Sequence, residues 1–324
     1  MDFRLAATVL RANWSDPAWW RGTFYPFAKR TAVMNALKPY YAIAGPSGTD
    51  FMDEDWDNLL LLDACRFDMF AEHSWLPGDL ESRTSLAAST PEFVTKTFAG
   101  EQYHDTVYVT ANPQLTLRVD DDIFHHVERV WETDWDEDLA TVRPATMAER
   151  TRKMHEAFPN KRIVGHFMQP HYPFIGDLGR RELDDQAGFE LTKRLASGEE
   201  ARRDGESIWD LLERGEVEED TVWDAYVENL EVVLGEVEAL LEAFDERTVV
   251  TSDHGNLVGE TVGPLPVSMY GHPTGIHAEN LVTVPWLVVE GDRSKKITAE
   301  PPAAADTSYE TDELEDRLGD LGYA

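Results

Sequence analysis

Short apolar runs and one long amphipathic pattern divide this chain into alternating elements. Apolar runs at 58–62, 162–167 and 247–251 close on Asp63, on Gln169-Pro170-His171 and on Ser252-Asp253-His254-Gly255. A β-branched stretch at 106–110 closes on Ala111-Asn112-Pro113, and a last apolar run covers 281–289. Runs of this length without polar alternation suit strands buried on both faces of a parallel sheet. Between them, 145–158 reads as a helix starting behind Pro144. Residues 221–244 read as a second helix, with Trp223, Tyr226, Val227, Leu230, Leu234, Val237 and Leu241 on one face and acids on the other. Alternating strands and helices predict an α/β fold, a three-layer αβα sandwich around a mostly parallel central sheet. No internal repeat is visible.

Three regions depart from that pattern. Residues 1–50 form an arm carrying Arg4, Arg11, Arg21, Lys29, Arg30 and Lys38 against only Asp2, Asp16 and Asp50, with Trp14, Trp19, Trp20, Phe24, Tyr25 and Phe27 among them. Such an arm packs on the core, or lies peripherally on an anionic membrane surface. Residues 51–295 form the main domain, with a charged insertion at 176–216 that reads as a lid or a solvated excursion. Residues 296–324 read as a Pro/Ala-rich linker and a closing helix packed on the same domain.

Composition then narrows the class. The 324 residues carry a formal charge of −33, from 62 acids against 29 bases. So much like charge opposes a compact state unless salt screens it. Molar salt does so, shortening the Debye length to about 3 Å, which points to a halophilic protein. Nucleic acid is an unsuitable partner, because binding it requires a basic surface. No Gly-x-Gly-x-x-Gly or Gly-Lys-Ser/Thr follows a predicted strand, so nucleotide-binding folds are disfavoured. The single cysteine, Cys65, rules out an intramolecular disulfide and a cysteine-based zinc site, and its apolar flank suits a buried small hydrophobe. No stretch has a membrane-span pattern and no signal-peptide pattern opens the chain, so a cytoplasmic location is expected, at the inner membrane face if the arm touches lipid.

The candidate chemistry lies at the strand ends. Ligands of open α/β sheets bind beyond the carboxyl ends of the strands, where Asp63 and Asp253-His254 fall although far apart in sequence. Carboxylates with an imidazole suit Mn²⁺, Mg²⁺, Ca²⁺ or Zn²⁺. His171 follows another strand. His272 and His277 sit in a Gly/Pro-rich loop as candidate metal ligands or contacts to a leaving group. His125-His126, beside Asp120-Asp121-Asp122, read as an exposed acidic loop.

In order and spacing these motifs resemble the alkaline phosphatase/sulfatase superfamily. The resemblance covers about 56–323: a strand to Asp63, a Ser/Thr-rich segment, His171-Tyr172-Pro173, Thr251-Ser252-Asp253-His254-Gly255, a downstream histidine and Val284-Pro285-Trp286. Leu62-Asp63-Ala64-Cys65-Arg66-Phe67-Asp68, with the Leu-Gly-Tyr ending, is similar to sulfatase-like proteins of haloarchaea.

The resemblance implies an alkaline phosphatase-like fold and an enzyme acting on phosphate or sulfate esters. It implies a divalent metal held by Asp63, Asp253 and His254, with His272 as a further candidate. It also implies a hydroxyl nucleophile at a helix start. Ala88-Ser89-Thr90-Pro91-Glu92-Phe93 matches that segment, favouring Ser89 with Thr90 as its rival. A histidine protonates the leaving alkoxide, from among His171, His272 and His277. Formylglycine sulfatases require Cys/Ser-x-Pro-x-Arg, whereas Phe93 stands at the arginine position, so formylglycine is not expected and phosphoester chemistry is favoured over sulfate. The implied substrate is an anionic ester, glycan- or lipid-linked. A family member that binds such a group without turnover is the alternative.

Overall fold

The computed structural model describes residues 11, 13–17, 20, 24–183, 207–264, 266–302 and 317–321. It divides into two compact units, Met1–Gly45 and Pro46–Ala324. The first contains helix α1 (Tyr25–Ala44), with Pro39 inside it.

The second unit contains strands β1 (Asn58–Leu62), β2 (Asp79–Thr84), β3 (Tyr103–Thr110), β4 (Phe124–Arg129), β5 (Trp135–Asp136), β6 (Thr141–Val142), β7 (Arg162–Phe167), β8 (Thr248–Thr251), β9 (Leu257–Thr261), β10 (Ser268–Gly271) and β11 (Thr283–Val289). Its longer helices are α2 (Phe67–His73), α3 (Thr90–Phe98), α4 (Pro144–Ala157) and α5 (Glu219–Ala243). Seven strands make one sheet in the order β2-β11-β8-β1-β7-β3-β4, while β9-β10 and β5-β6 form small separate ribbons. The pairs from β8 across to β4 are all parallel, and β11 runs antiparallel to both of its neighbours.

The five-residue run of β1 explains the three layers. Successive strand side chains point to opposite faces. Leu60 and Leu62 enter one core with Met69 and Phe70 of α2, Met147 of α4, and Tyr226, Leu230 and Val237 of α5. Leu59 and Leu61 enter the other core with Phe93, Val94 and Phe98 of α3, Tyr108, Phe124 and Trp286. The fold is thus an α/β sandwich with a mostly parallel seven-stranded sheet between two helical layers. Leu60 is fully buried, so Leu60→Ala should remove about 2–5 kcal/mol of stability. Urea unfolding should show this as a lower midpoint at unchanged m-value.

The structure departs from the sequence reading in several places. His125 and His126 belong to edge strand β4, paired in parallel with β3, not to an exposed loop. Strand β2, Asp-Leu-Glu-Ser-Arg-Thr, is exposed or half-exposed throughout, so it lacked an apolar run to announce it. The far end of the 176–216 insertion is not a solvated excursion: Ile208, Trp209, Leu211 and Leu212 of the 208–213 helix are buried in the core of α5. The middle of the insertion, with Lys193, Arg194, Arg202 and Arg203, lies outside the described residues.

Finally, 293–300 is a strap along the amino-terminal edge of the sheet. Arg293, Thr298 and Glu300 donate backbone N–H groups to Asp245, Asn160 and His104. Lys295 Nζ donates to Asn58 Oδ1 at 2.7 Å and Lys161 Nζ to the Thr298 carbonyl at 2.7 Å. Beyond it, Leu318 and Leu321 are buried in the same core as α5.

Candidate active site

Four parallel strands bring the candidate residues to one sheet edge. Leu61 pairs with His166 of β7 on one side and with Thr251 of β8 on the other, and His166 pairs in turn with Thr110 of β3. The strands therefore end nearly flush, presenting Asp63, His166, Asp253-His254 and Asn112 together.

The turn after β1 ties two of these strand ends. Ala64 adopts φ 59°, left-handed backbone that costs a non-glycine residue about 1–2 kcal/mol. That turn aims the Ala64 N–H at Asp253 Oδ1 (3.1 Å) and the Cys65 N–H at Ser252 Oγ (2.8 Å). In Asp253-His254-Gly255 the glycine is dictated by packing. A Cβ at Gly255 would lie 2.1 Å from the Asn280 carbonyl oxygen.

Asp63, His166, Asp253 and His254 are all essentially buried. His166 Nε2 lies 3.7 Å from Asp63 Oδ2 and 3.9 Å from Asp253 Oδ2. His254 Nε2 lies 3.6 Å from Asp63 Oδ1 and 3.5 Å from Asp253 Oδ2. Ligands on a tetrahedral ion with bonds of 2.0–2.1 Å are spaced by about 3.4 Å, so these atoms need only small adjustments to enclose one.

Two further observations fit a cation. Asp253 Oδ2 and His166 Nε2 are buried without a hydrogen-bond partner, an arrangement that carries a full desolvation cost unless something positive lies between them. The His254 ring also has its lone pair in the right place. Nδ1 faces the Gly255 carbonyl at 2.7 Å, which can only accept, so Nδ1 carries a proton and in the neutral ring Nε2 is the atom left to accept or to ligate. Two carboxylates and two imidazoles suit Zn²⁺ or Mn²⁺ better than the all-oxygen shells of Ca²⁺ and Mg²⁺. Burial alone would lift the Asp63 carboxyl, but His166, His171 and His254 beside it hold it well below the usual carboxylate range.

The two nucleophile candidates part company. Thr90 is the first residue of α3, with Pro91 behind it, and is fully buried. Its Oγ1 lies 3.1 Å from His254 Nε2 and 3.2 Å from Asp63 Oδ2. Ser89, the N-cap, makes no side-chain cap bond, and its Oγ faces Thr274 Oγ1 at 2.8 Å.

The histidines part likewise. His171 and His272 meet Nε2 to Nε2 at 2.9 Å, and the His272 ring lies 4.8 Å from that of His254. His171 Nδ1 donates to the Tyr172 carbonyl, and one Nε2 of the His171–His272 pair donates to the other. His277 is not brought to this cluster. Its Nε2 lies 2.9 Å from Glu92 Oε1, and Glu92 also receives the Gly275 N–H at 3.2 Å. Ser89 and Glu92 thus fasten the 272–277 loop to the start of α3. On the other side, fully buried Asn229 of α5 donates to the carbonyls of Pro170, His171 and Pro173 and accepts the Ile175 N–H.

Burial lowers the pKa of His171, and burial together with His254 and His171 takes His272 well below its ordinary 6.5. Their depressed folded values mean a contribution fully present above the unfolded pKa of 6.5 and lost as pH falls below it. Metal-free protein should therefore lose urea resistance on acidification from about pH 7.5 to 5. His272→Gln should flatten that slope.

Sequence reasoning missed His166 and Asn112. Asn112 donates to Asp63 Oδ2 at 2.6 Å and Tyr108 OH lies 2.8 Å from His166 Nδ1. The available signal was position: both residues stand at or just past strand ends already read as facing the site. Cys65 is fully buried and its thiol is pushed far up by burial, which leaves it inert.

No protein-family model matches the chain, and no curated protein sequence matches it. Among solved structures, the chain is similar to the integral membrane protein lipooligosaccharide phosphoethanolamine transferase A from Neisseria meningitidis (TM-score 0.44, 12% identity, 91% of this chain covered). It spans 59% of that protein's length. It is also similar to the periplasmic domain of phosphoethanolamine transferase EptC from Campylobacter jejuni (TM-score 0.46, 11% identity, 72% of this chain and 78% of that one). A third is a phosphonate monoester hydrolase from Silicibacter pomeroyi (TM-score 0.36, 14% identity, 82% of this chain and 72% of that one). At these scores and identities the likenesses decide neither family membership nor activity.

Proposed function

We propose that the chain is a metal-dependent hydrolase or transferase of phosphate esters with Thr90 as its nucleophile. The observation that carries this reading is the placement of the Thr90 hydroxyl, within 3.4 Å of both Asp63 oxygens and His254 Nε2. A buried hydroxyl at a helix start, beside paired carboxylates and imidazoles, has the surroundings of an activated nucleophile.

Asp63, Asp253 and His254, with His166 added from β7, would hold the metal. Bound there, a divalent ion would lower the proton affinity of a nearby hydroxyl and offset charge on an anionic ester. The remaining roles fall to the protein. Thr90 releases its hydroxyl proton to solvent, and Oγ1 forms the new bond to phosphorus as the bond to the leaving alkoxide breaks. The amino-terminal end of α3 turns the positive end of its dipole toward the anion. His171 and His272 are neutral in the free site, and an arriving anion raises their proton affinity. The pair can therefore take up a proton with the substrate and deliver it to the leaving oxygen. Water or an alcohol then displaces the group from Thr90, which makes the enzyme a hydrolase or a transferase respectively. Asn112 steadies Asp63, and Asn229 steadies the loop carrying His171.

Phosphate is favoured over sulfate because Phe93 replaces the arginine of the formylglycine frame and Cys65 is walled into the core. The deciding experiment strips the protein with EDTA, then adds back Zn²⁺, Mn²⁺, Mg²⁺ or Ca²⁺. Turnover of aryl phosphate, bis-aryl phosphate and aryl sulfate is measured in molar KCl. Turnover should vanish on stripping and return with Zn²⁺ or Mn²⁺ on a phosphoester. Undiminished turnover after complete stripping would rule out the metal. Dominant sulfate turnover would reverse the substrate assignment.

A further inference from the structure

The amino-terminal unit has a charge pattern and an apolar exposure that the catalytic site does not use. From 17 to 49 the chain contains no Asp or Glu, while it carries Arg21, Lys29, Arg30 and Lys38. Elsewhere acids outnumber bases heavily enough to give −33 overall. A local charge inversion on that scale suits attraction to an anionic surface. Within it, α1 has apolar residues on two sides. Leu37 and Tyr41 are buried. Tyr25, Ala32, Ala36, Tyr40 and Ile43, spaced by seven, four, four and three residues, are exposed along another face. Ile43 is 88% exposed and Tyr25 67%. Trp14, at 69%, is exposed in the same unit. No helix among the described residues is long and apolar enough to cross a membrane. A helix with exposed aromatic and aliphatic side chains, in a basic segment without acids, has the composition of one lying in the headgroup region of an anionic bilayer.

We propose that this unit docks the protein on an anionic lipid surface, with Tyr25, Tyr40 and Ile43 of α1 entering the headgroup region and the basic segment drawn to lipid phosphates. The two contributions differ in salt dependence. Charge attraction fades as the Debye length shrinks, whereas burial of apolar side chains persists. A chain folded in strong salt therefore needs the apolar face, and the basic residues select anionic lipid as salt falls.

The test is co-sedimentation of the full chain with vesicles of phosphatidylglycerol or phosphatidylcholine, over a KCl series. Three proteins are compared: wild type, Lys29→Glu/Arg30→Glu/Lys38→Glu, and Tyr40→Ser/Ile43→Ser. Turnover of a soluble aryl ester in each controls for folding, since none of these residues belongs to the catalytic site. Wild type should bind phosphatidylglycerol at least tenfold more tightly than phosphatidylcholine at the lowest salt that retains activity. The charge-reversed protein should lose that preference, and the serine variant should lose the binding that survives high salt. Equal binding to both lipids, or full binding by both variants, would overturn the proposal. So would absence of vesicle binding together with a wild-type dimer that the serine variant breaks, which would make α1 a self-association face. Soluble-ester turnover reads the catalytic proposal separately, so either can fail alone.

Discussion

Thr90→Ala should lose turnover by on the order of 10⁴-fold or more, the scale seen when a nucleophile is deleted from a working constellation. Ser89→Ala should stay within about tenfold of wild type, the cost of roughly one hydrogen bond. The contrast follows from one residue of helical phase. Thr90 projects between Asp63 and His254, whereas Ser89 projects toward Thr274 in the loop that carries His272. Thr90→Ser, which keeps the hydroxyl, should restore much of the rate, and metal content should be nearly unchanged in Ser89→Ala. Steady-state kinetics with a phosphoester decides the matter. A Thr90→Ala protein retaining more than about a tenth of wild-type turnover would remove Thr90 from the mechanism.

The second large effect has two signs. Asp253→Asn should lose metal and turnover together, by on the order of 10³-fold in rate. The metal-free variant should at the same time be more stable than metal-free wild type by about 1–2 kcal/mol. Asp253 Oδ1 accepts the N–H groups of Ala64 and His254, and an amide oxygen can keep both bonds. Asp253 Oδ2, which has no partner, would become an NH₂ facing His166 Nε2, itself without one. Toward His254 Nε2, 3.5 Å away and left as an acceptor by the Nδ1 contact with the Gly255 carbonyl, two facing acceptors would become a donor and an acceptor. Denaturation of both proteins with and without added Zn²⁺ should show the order of stability reverse. Equal response of the two to metal would mean that Asp253 does not ligate it.

How legible all this was depended on the kind of signal each element carries. Strands β1, β7 and β8 announce themselves because both faces are buried, leaving an uninterrupted apolar run. Helix α5 announces itself by its 3.6-residue stripe. Strand β2 offers neither, since it is an exposed edge held by pairing with β11. Its existence is a tertiary fact.

In the site, Asp63, Asp253 and His254 were recognisable because strand ends bear ligands in such sheets. His166 was hidden inside an apolar strand, where a lone histidine reads as core, and only the register of β7 against β1, which pairs it with Leu61, brings its ring to 3.7 Å from Asp63. Ser89 and Thr90 could not be separated from sequence, because neighbouring residues at a helix start differ by a rotation the sequence does not state. His277 and His272 share a loop, yet Glu92 captures the first and His171 the second. That sorting depends on side-chain packing across three segments distant in sequence.

The central claim is a metal centre built from Asp63, His166, Asp253 and His254, and anomalous diffraction from Zn²⁺-loaded crystals tests it most directly. One strong peak should stand within coordination distance of all four side chains, with Thr90 Oγ1 beside it. A peak held elsewhere in active protein, or none at those four residues while turnover persists, would contradict the account.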